Sequence, residues 1–336
     1  PFFENLIKKY FLQNKHRTTL VLEPDKKLEQ KLREKEEKKL LQIKKSLNNE
    51  QLQQIIAETQ KLEQMQATPD SPEALATIPR LKRNDLDKEV KKIPLAENNI
   101  NDITVLFHPQ PASGIFYVDL GLNIHLLPQK YLSYVPLFGR ALLEMGTKFE
   151  DFVQLTTRIR QKTGGIFAQP LASQILGQQD CTAWLFLRGK ALSENLKDLL
   201  NIYKDVLLDL NLDNRERFRQ ILLEEKAGLE ESLIPQGHRY VAMRLKARFS
   251  EADWATELMS GLSYLFFLRY LLDRIENDWD EVRRTLDEMR FMLVHKNGLL
   301  LNVTTEAKLY EQYQREFENF LTLFPARSFK ATRWQR

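Results

Sequence analysis

The side chains best suited to bind a metal ion are spread thinly along this sequence. The five histidines are His16, His108, His125, His238 and His295. A helix or turn presents two imidazoles to one zinc ion only at spacings of roughly three to five residues, and no pair has such a spacing. Neither H-E-x-x-H nor the inverted H-x-x-E-H occurs. His125 follows Asp119 on an alternating segment, but a packed or surface histidine explains it better than a metal ligand.

A nucleophile is equally hard to find. Cys181 is the single cysteine, so no internal disulfide can form, which fits a reducing compartment or a protein that needs no bridges. Its thiol would attack a substrate only beside a base. The segment GQQDCTAW instead predicts a small packed or half-exposed thiol. Neither G-x-S-x-G nor G-x-x-x-x-G-K is present.

The carboxylates are most crowded in RERFRQILLEEKAGLEESL, which carries Glu224, Glu225, Glu230 and Glu231. Carboxylates can bind a metal ion or act as general bases. On a helix, however, a cluster of charges is usually a solvated face. The residues alone therefore leave both interpretations of this segment open.

The elements that would position these side chains begin near Ile100, where the composition becomes that of a compact domain. Alternating or apolar segments predict strands, and longer periodic segments predict helices, including a buried helix pair in 252–275. The predicted strands are 102–109, 114–124, 164–176, 182–189 and 298–305, and the other predicted helices are 128–145, 149–161, 193–208, 214–233, 236–249, 279–293 and 306–323. This order predicts an α+β domain over 100–325, with a mostly antiparallel sheet covered by helices.

The first hundred residues have a different composition. A short helix in 2–13 and a strand in 17–24 predict that 1–25 is the C-terminal tail of an upstream α+β domain. Residues 26–68 are highly charged, and two narrow apolar stripes predict an antiparallel helical hairpin linker whose second helix is capped by Asn49. Prolines make 69–99 an extended linker. We expect 326–336 to begin a linker to a further domain, and the whole chain to be part of a longer protein.

Composition excludes several function classes. The formal net charge is +4, from 50 basic and 46 acidic residues, and the lysines of the hairpin alternate with glutamates. Because that segment also lacks aromatic side chains for base stacking, we expect no nucleic-acid binding. No apolar run reaches the roughly 18 residues of a transmembrane helix, so no membrane partner is expected either.

Several motifs together resemble the presequence protease branch of the pitrilysin-type zinc metallopeptidases. They are VDLGLNIHLLPQKYLSYVPLFGRALLEMGT, the following KTGGI, PDSPEALATIPRL, and the charged hairpin after LEPD. The resemblance spans about Lys15 to Phe324. It implies the end of the second domain, the hairpin hinge and a third domain that shares the metallopeptidase-like α/β roll without its metal site.

In enzymes of this family, the first domain carries H-x-x-E-H, whose histidines bind zinc and whose glutamate activates water. The resemblance places that motif on Leu137, Phe138, Gly139, Arg140 and Ala141. It puts leucine, arginine and alanine in the functional positions, and the distal ligand near Glu225. It therefore implies no catalytic, metal-binding or cofactor-binding residue in this chain, with zinc confined to the parent enzyme.

The implied function is a non-catalytic segment of a zinc metalloendopeptidase that degrades short unstructured peptides in a closed chamber. The segment would form part of the chamber wall and the hinge between the two halves. Its partners would be the other domains of the same polypeptide and the peptide substrates. A bacterial cytoplasm is the expected location, or an organellar matrix in a eukaryote. The alternative is a stand-alone interaction or adaptor protein with a coiled-coil arm.

Overall fold

The computed structural model describes residues 2–18, 20–89, 91–178 and 180–335. The chain divides into two compact units, residues 1–90 and residues 91–336. The first unit contains helices and irregular segments only, within its described residues, whereas the second contains the whole of the sheet. Of the helices in the described residues, none is both long and apolar enough to cross a membrane.

The first three helices of the first unit agree with the predicted ones, whereas the fourth lies within 69–99, where an extended linker was predicted. In chain order, the helices are α1 (Phe2–Ile7), continued by a π-helical turn (Lys8–Leu12), then α2 (Leu28–Ser46), α3 (Asn49–Ala67) and α4 (Pro72–Ala76). The cap of α3 was wrongly predicted. Asn48, not Asn49, is the capping residue, because its side chain accepts a hydrogen bond from the Gln51 amide while the Gln51 side chain accepts one from the Asn48 amide. This reciprocal pair is a capping box.

The strand predicted over 17–24 is absent from the described residues of that segment; Thr19 lies outside them. Leu20, Val21 and Leu22 remain 77%, 74% and 85% exposed. A strand is stable only when a neighbour accepts and donates its backbone hydrogen bonds, and no neighbouring strand is present in the described part of this unit. The β-branched composition of the segment was therefore insufficient by itself.

The apolar stripes of α2 and α3 are exposed rather than packed together. Neither helix has a buried residue. Leu47 and Leu52 of the predicted stripes are half-buried. The other stripe residues are between 43% and 65% exposed; they are Leu28, Leu32, Leu40, Ile43, Ile55, Ile56, Leu62 and Met65. Both predicted helices are present, but they do not bury a shared seam.

The second unit is built on a six-stranded sheet. Its strands are β1 (Ala96–Ile100), β2 (Ile103–Pro109), β3 (Ile115–Asn123), β4 (Ile166–Gln174), β5 (Cys181–Leu192) and β6 (Leu299–Thr305). The spatial order is β1-β2-β6-β3-β5-β4, and among these described strands only the β2–β6 pair is parallel. The mostly antiparallel sheet that the sequence predicts is thus confirmed.

Strand β1 corrects the predicted linker 69–99, whose last residues belong to the sheet. The segment AENNI is polar and does not alternate, so periodicity gives no strand signal. The turn to β2 provides the explanation. Asn101 and Asp102 both have positive φ, at 54° and 66°, and Ile100 pairs with Ile103. Two residues in the left-handed region form the tight hairpin turn whose twist matches that of the strands.

Helices cover one face of this sheet. They are α5 (Val135–Glu144), α6 (Phe152–Lys162), α7 (Leu196–Leu208), α8 (Arg215–Leu233), α9 (Gly237–Lys246), α10 (Glu251–Ser260), α11 (Leu262–Asn277), α12 (Trp279–Leu293) and α13 (Ala307–Thr322). In β5 the odd-numbered side chains are mostly buried in the core with these helices, and the even-numbered ones are half-buried or exposed. The α+β class is confirmed, and the other sheet face, which no described helix of this unit covers, is called the uncovered face below.

Candidate functional site

The positions that the resemblance equates with H-x-x-E-H, residues 137–141, lie on α5. Leu137, Phe138 and Ala141 are 0% exposed and belong to the core. Gly139 lies against the sheet so closely that a Cβ there would be 2.8 Å from the Cβ of Ala168. The sequence therefore places four of the five motif positions in packing contacts. Any larger residue at position 139 would push the helix away from β4.

Arg140 is the exception, because it points from α5 toward α8. Its Nη2 lies 2.8 Å from Glu224 Oε2 and its Nη1 lies 3.2 Å from Glu225 Oε2. Its Nε and Nη2 also donate to the two carboxylate oxygens of Glu144, at 2.8 Å and 2.9 Å. The last contact is bidentate, which is the strongest geometry for a guanidinium and a carboxylate.

A second guanidinium completes the cluster. Arg217 Nη2 lies 3.1 Å from Glu144 Oε2, and the Arg217 guanidinium also packs 4.6 Å from the ring centre of Phe152. Arg140, Glu144, Arg217, Glu224 and Glu225 are together called the Arg140 cluster below. It combines two guanidinium groups with three carboxylates.

The electrostatics of the Arg140 cluster keep Arg140 charged. Burial, the largest single effect, lowers the pKa of this guanidinium, but the hydrogen bonds to Glu144 and Glu224 and the charges of Glu144 and Glu225 together outweigh it, and the net shift is upward. The carboxylates near the expected distal ligand position are thus already neutralised by an internal cation. Leu137 and Ala141 offer no ligand atom, and a metal ion would have to displace Arg140.

These residues therefore do not fit zinc. Across the described residues, no group of three or more His, Cys, Asp or Glu side chains is arranged to hold a metal ion. Arg140 and Glu225, which the resemblance places in one degenerate site, are in direct contact at 3.2 Å. The helix α5 has a packing role, and its polar position forms an ion-pair cluster.

The other candidate carboxylates serve as surface ion pairs. Glu230 contacts Lys226 on its own helix at 3.0 Å and Arg269 on α11 at 2.8 Å. These contacts lower the pKa of Glu230, with the Arg269 hydrogen bond as the largest cause. Glu231 is exposed. The solvated-face interpretation thus fits the second half of the acidic helix, and the first half joins the Arg140 cluster.

Sequence reasoning missed one contact between titratable groups. His125 Nε2 lies 3.5 Å from Cys181 Sγ, although the two residues are distant in sequence. His125 forms no hydrogen bond with Asp119 within the described residues. Burial, followed by the charges of Glu251 and Asp180, raises the pKa of Cys181 to about 12. The thiol therefore stays protonated at neutral pH and is a poor nucleophile despite the nearby base.

The remaining histidines have separate environments. His108 lies on the uncovered face of β2 with its Nδ1 2.9 Å from the Pro94 carbonyl oxygen, and His16 and His238 are exposed. His295 is 0% exposed, and neither ring nitrogen has a hydrogen-bond partner in the described part of the chain. None of these pairs with another histidine to form a metal site within the described residues.

Two cavities adjoin the Arg140 cluster. One of about 310 Å³ is lined by Pro136, Arg140, Glu225 and residues of β4 and α10. The other, of about 360 Å³, is lined by Arg140, Glu144 and residues of α6 and β4. Both include Arg140 and Ala168, so the cavities meet beside the edge strand β4.

Known proteins resemble this chain over nearly its whole length. It is 36% identical over 325 residues to presequence protease 1, chloroplastic/mitochondrial, of Arabidopsis thaliana, in an alignment that covers 96% of this chain and 30% of that protein. It is 29% identical to protein HypA of Clostridium perfringens, over 96% of this chain and 33% of that protein. The chain thus spans about a third of the length of these relatives.

A solved structure shares the fold. A conserved protein from Enterococcus faecalis superposes with a TM-score of 0.51 at 15% identity, over 71% of this chain and 54% of that one. A family model, described as associated with the peptidases of family M16, subfamily C, matches residues 22–271, which include the hairpin, the Arg140 cluster and β4. The chain therefore belongs to this peptidase-associated family, as a region of the presequence-protease type that carries no H-x-x-E-H motif.

Proposed function

We propose that this chain is a non-catalytic segment of a zinc metalloendopeptidase that degrades short unstructured peptides. The observation that carries the proposal is the pairing of Arg140 with Glu144, Glu224 and Glu225, at the position where the resemblance would place the catalytic glutamate. A guanidinium in this place can neither bind zinc nor accept a proton from water. Catalysis is left to another domain of the parent protein.

The segment would contribute part of the wall of the chamber in which peptides are cleaved. The uncovered sheet face supports this role, because it presents a half-buried aromatic surface. Phe186 on β5 lies over Gly121 of β3, where a Cβ would be 2.8 Å from its Cε1, and Trp184 lies beside it. Asp119 and Arg188 form an ion pair at 3.3 Å on the same face. A surface of aromatic and paired polar side chains can contact peptides of many sequences.

Helices α2 and α3 would form the hinge between the halves of the parent. Their exposed apolar stripes support this role, because a neighbouring domain could cover them. The parent would act in a bacterial cytoplasm or in an organellar matrix, and its relatives include proteins from a plant and from a bacterium.

Metal analysis of the purified 336-residue chain tests the non-catalytic role. After dialysis against a slight excess of zinc and then against zinc-free buffer, we expect no retained zinc. We also expect no chelator-sensitive hydrolysis of an unstructured fluorogenic peptide. Stoichiometric zinc that survives dialysis, or hydrolysis that a chelator abolishes, would contradict the proposal. In that case the first residues to substitute are Glu225 and His238.

A second candidate is an interaction protein that uses α2 and α3 as a coiled-coil arm. The same exposed stripes favour it. Analytical ultracentrifugation distinguishes the two. A dimer that Leu32→Glu and Ile56→Glu dissociate supports the arm, whereas a monomer at all concentrations supports the hinge.

A further inference from the structure

Among the described strands, β4 lies at one end of the sheet and pairs along one edge, with β5. The hairpin to β5 fixes which residues face outward. The Ile175 amide donates to the Asp180 carbonyl oxygen at 3.1 Å, and the register pairs Gln174 with Cys181. Because hydrogen-bonded pairs alternate in an antiparallel ladder, odd-numbered residues of β4 bond to β5 and even-numbered ones direct their N–H and C=O groups away from the sheet.

Pro170 agrees with this assignment. Proline has no N–H, and at an even position it removes no hydrogen bond to β5. Ile166, Ala168, Ala172 and Gln174 then offer both backbone groups at the free edge. The free edge of β4 therefore presents a row of backbone N–H donors and C=O acceptors, in which Pro170 lacks the N–H.

The same even-numbered residues provide the floor of the two cavities. Ala168, Pro170 and Ala172 line the cavity of about 310 Å³, with Thr256, Met259 and Ser260 of α10 opposite. Ile166 and Ala168 line the cavity of about 360 Å³. We call this continuous depression the edge groove. Side chains two residues apart in an extended chain are about 6.6 Å apart, a spacing suited to two adjoining cavities.

We propose that the edge groove binds an extended segment of an unstructured peptide, which adds to β4 as a seventh strand. Main-chain hydrogen bonds to Ala168 and Ala172 would supply affinity, and alternate side chains would enter the two cavities. The inference rests on the proposed function and deepens it, because it makes this non-catalytic segment a direct contact for the peptide.

Charge favours one kind of peptide. The Arg140 cluster has three carboxylates for two guanidinium groups, and Glu225 lines the first cavity. Arg160 lines only the second cavity. The net negative charge of the cluster as a whole therefore favours a basic or neutral peptide side chain over an acidic one in the first cavity.

Fluorescence polarisation with the 336-residue chain tests the backbone pairing. The probe is a fluorescein-labelled unstructured peptide of about twelve residues that contains lysine and no acidic residue. Pro170→Ala restores an outward N–H and should tighten binding about fivefold, whereas Ala172→Pro removes one and should weaken binding about fivefold. Gln312→Ala, at an exposed position of α13, is the control and should leave affinity unchanged.

A second probe requires no variant to fold. The same peptide with alternate backbone amides N-methylated keeps its side chains but cannot pair with an edge strand, so it should bind at least about tenfold more weakly. Equal affinity of the methylated and unmethylated peptides overturns the proposal, as does equal affinity of the two proline variants. Self-association of Pro170→Ala without peptide binding also overturns it, because the edge would then pair with a second copy. The proposed function is judged separately, by zinc retention and hydrolysis.

Discussion

At the scale of single residues, Arg140 is the central cation of an ion-pair cluster between two helices. Three carboxylates converge at the junction of α5 and α8, and Arg140 supplies the main positive charge between them. Its side chain is 25% exposed, so its ion pairs are less screened than those of a surface arginine. The cluster thus holds α8 against α5 through ion pairs between their side chains.

Replacing Arg140 should be costly. Arg140→Met leaves Glu144, Glu224 and Glu225 without their shared partner, and we expect the free energy of unfolding to fall by about 1–3 kcal/mol. Arg140→Lys should recover only part of this loss, because an ammonium group cannot form the bidentate contact with Glu144. Urea denaturation measures both changes.

The matched control is Arg219→Met on α8. Arg219 contacts Glu276 at 2.6 Å, but this pair is more exposed, at 35% and 45%. Solvent screening should make its loss clearly smaller than the loss in Arg140→Met. Equal losses at the two positions would contradict a special role for the Arg140 cluster.

His295 predicts a pH dependence. Burial lowers the pKa of its imidazole below the ordinary value of 6.5. The unfolded chain therefore takes up a proton more readily than the folded one, and stability is complete above about pH 6.5 and falls as the pH decreases below it. We expect the free energy of unfolding to decrease between about pH 7 and pH 5, with a smaller decrease in His295→Leu.

Urea denaturation at several pH values measures this slope. At about pH 7, His295→Leu should be nearly neutral, because neither ring nitrogen has a hydrogen-bond partner among the described residues. His16→Leu, at an exposed position, should leave the slope unchanged. A slope that survives in His295→Leu would assign the pH dependence to other groups.

At the scale of elements, the cap of α3 provides a direct test. Asn48→Ala removes the capping box and should destabilise the first turn by about 1 kcal/mol. Amide hydrogen exchange of Gln51 and Leu52 should then accelerate about fivefold. Asn49→Ala is the control, since Asn49 is the first residue of α3 and does not cap it. Equal acceleration in both variants would show that the cap is unimportant for the helix.

Most elements could be predicted because their periodic segment was long or because a glycine or proline marked its end. The helix α12 has the limits that periodicity predicts. Gly261 lies between α10 and α11, where the backbone comes so close to Glu257 that a Cβ would lie 2.8 Å from its backbone oxygen. The failures involve partners. Strand β1 exists because of a tight turn, and the segment 17–24 lacks a described strand to pair with.

In the candidate site, too, local patterns were predictable and contacts between distant residues were not. The resemblance placed Arg140 and Glu225 in one degenerate site, and the two side chains are indeed in contact at 3.2 Å although they are 85 positions apart in the sequence. No local pattern could have predicted Arg217 in the same cluster, since its sequence context is the same as that of an exposed arginine on an acidic helix. The contact between Cys181 and His125 was equally hidden, because β5 and the turn after β3 meet only in the folded sheet.

At the scale of the whole molecule, the two units differ in what stabilises them. Residues 91–336 contain the sheet and the buried core, whereas the helices α1 to α4 of residues 1–90 have no buried residue. Since burial of apolar surface is the dominant stabilising term in folding, the second unit should fold without the first. The described residues that connect them, 77–89 and 91–95, are all exposed.

Limited proteolysis should therefore separate the units. Trypsin has exposed sites at Arg83, Lys88, Lys91 and Lys92, and we expect an early, persistent product that begins after one of them. Mass spectrometry identifies its first residue. Because the core lies entirely on the C-terminal side of these sites, the product should melt cooperatively within a few degrees of the intact chain. A first cleavage within 103–322, or a product that no longer melts cooperatively, would mean that the first unit is needed to hold the sheet and its helices together.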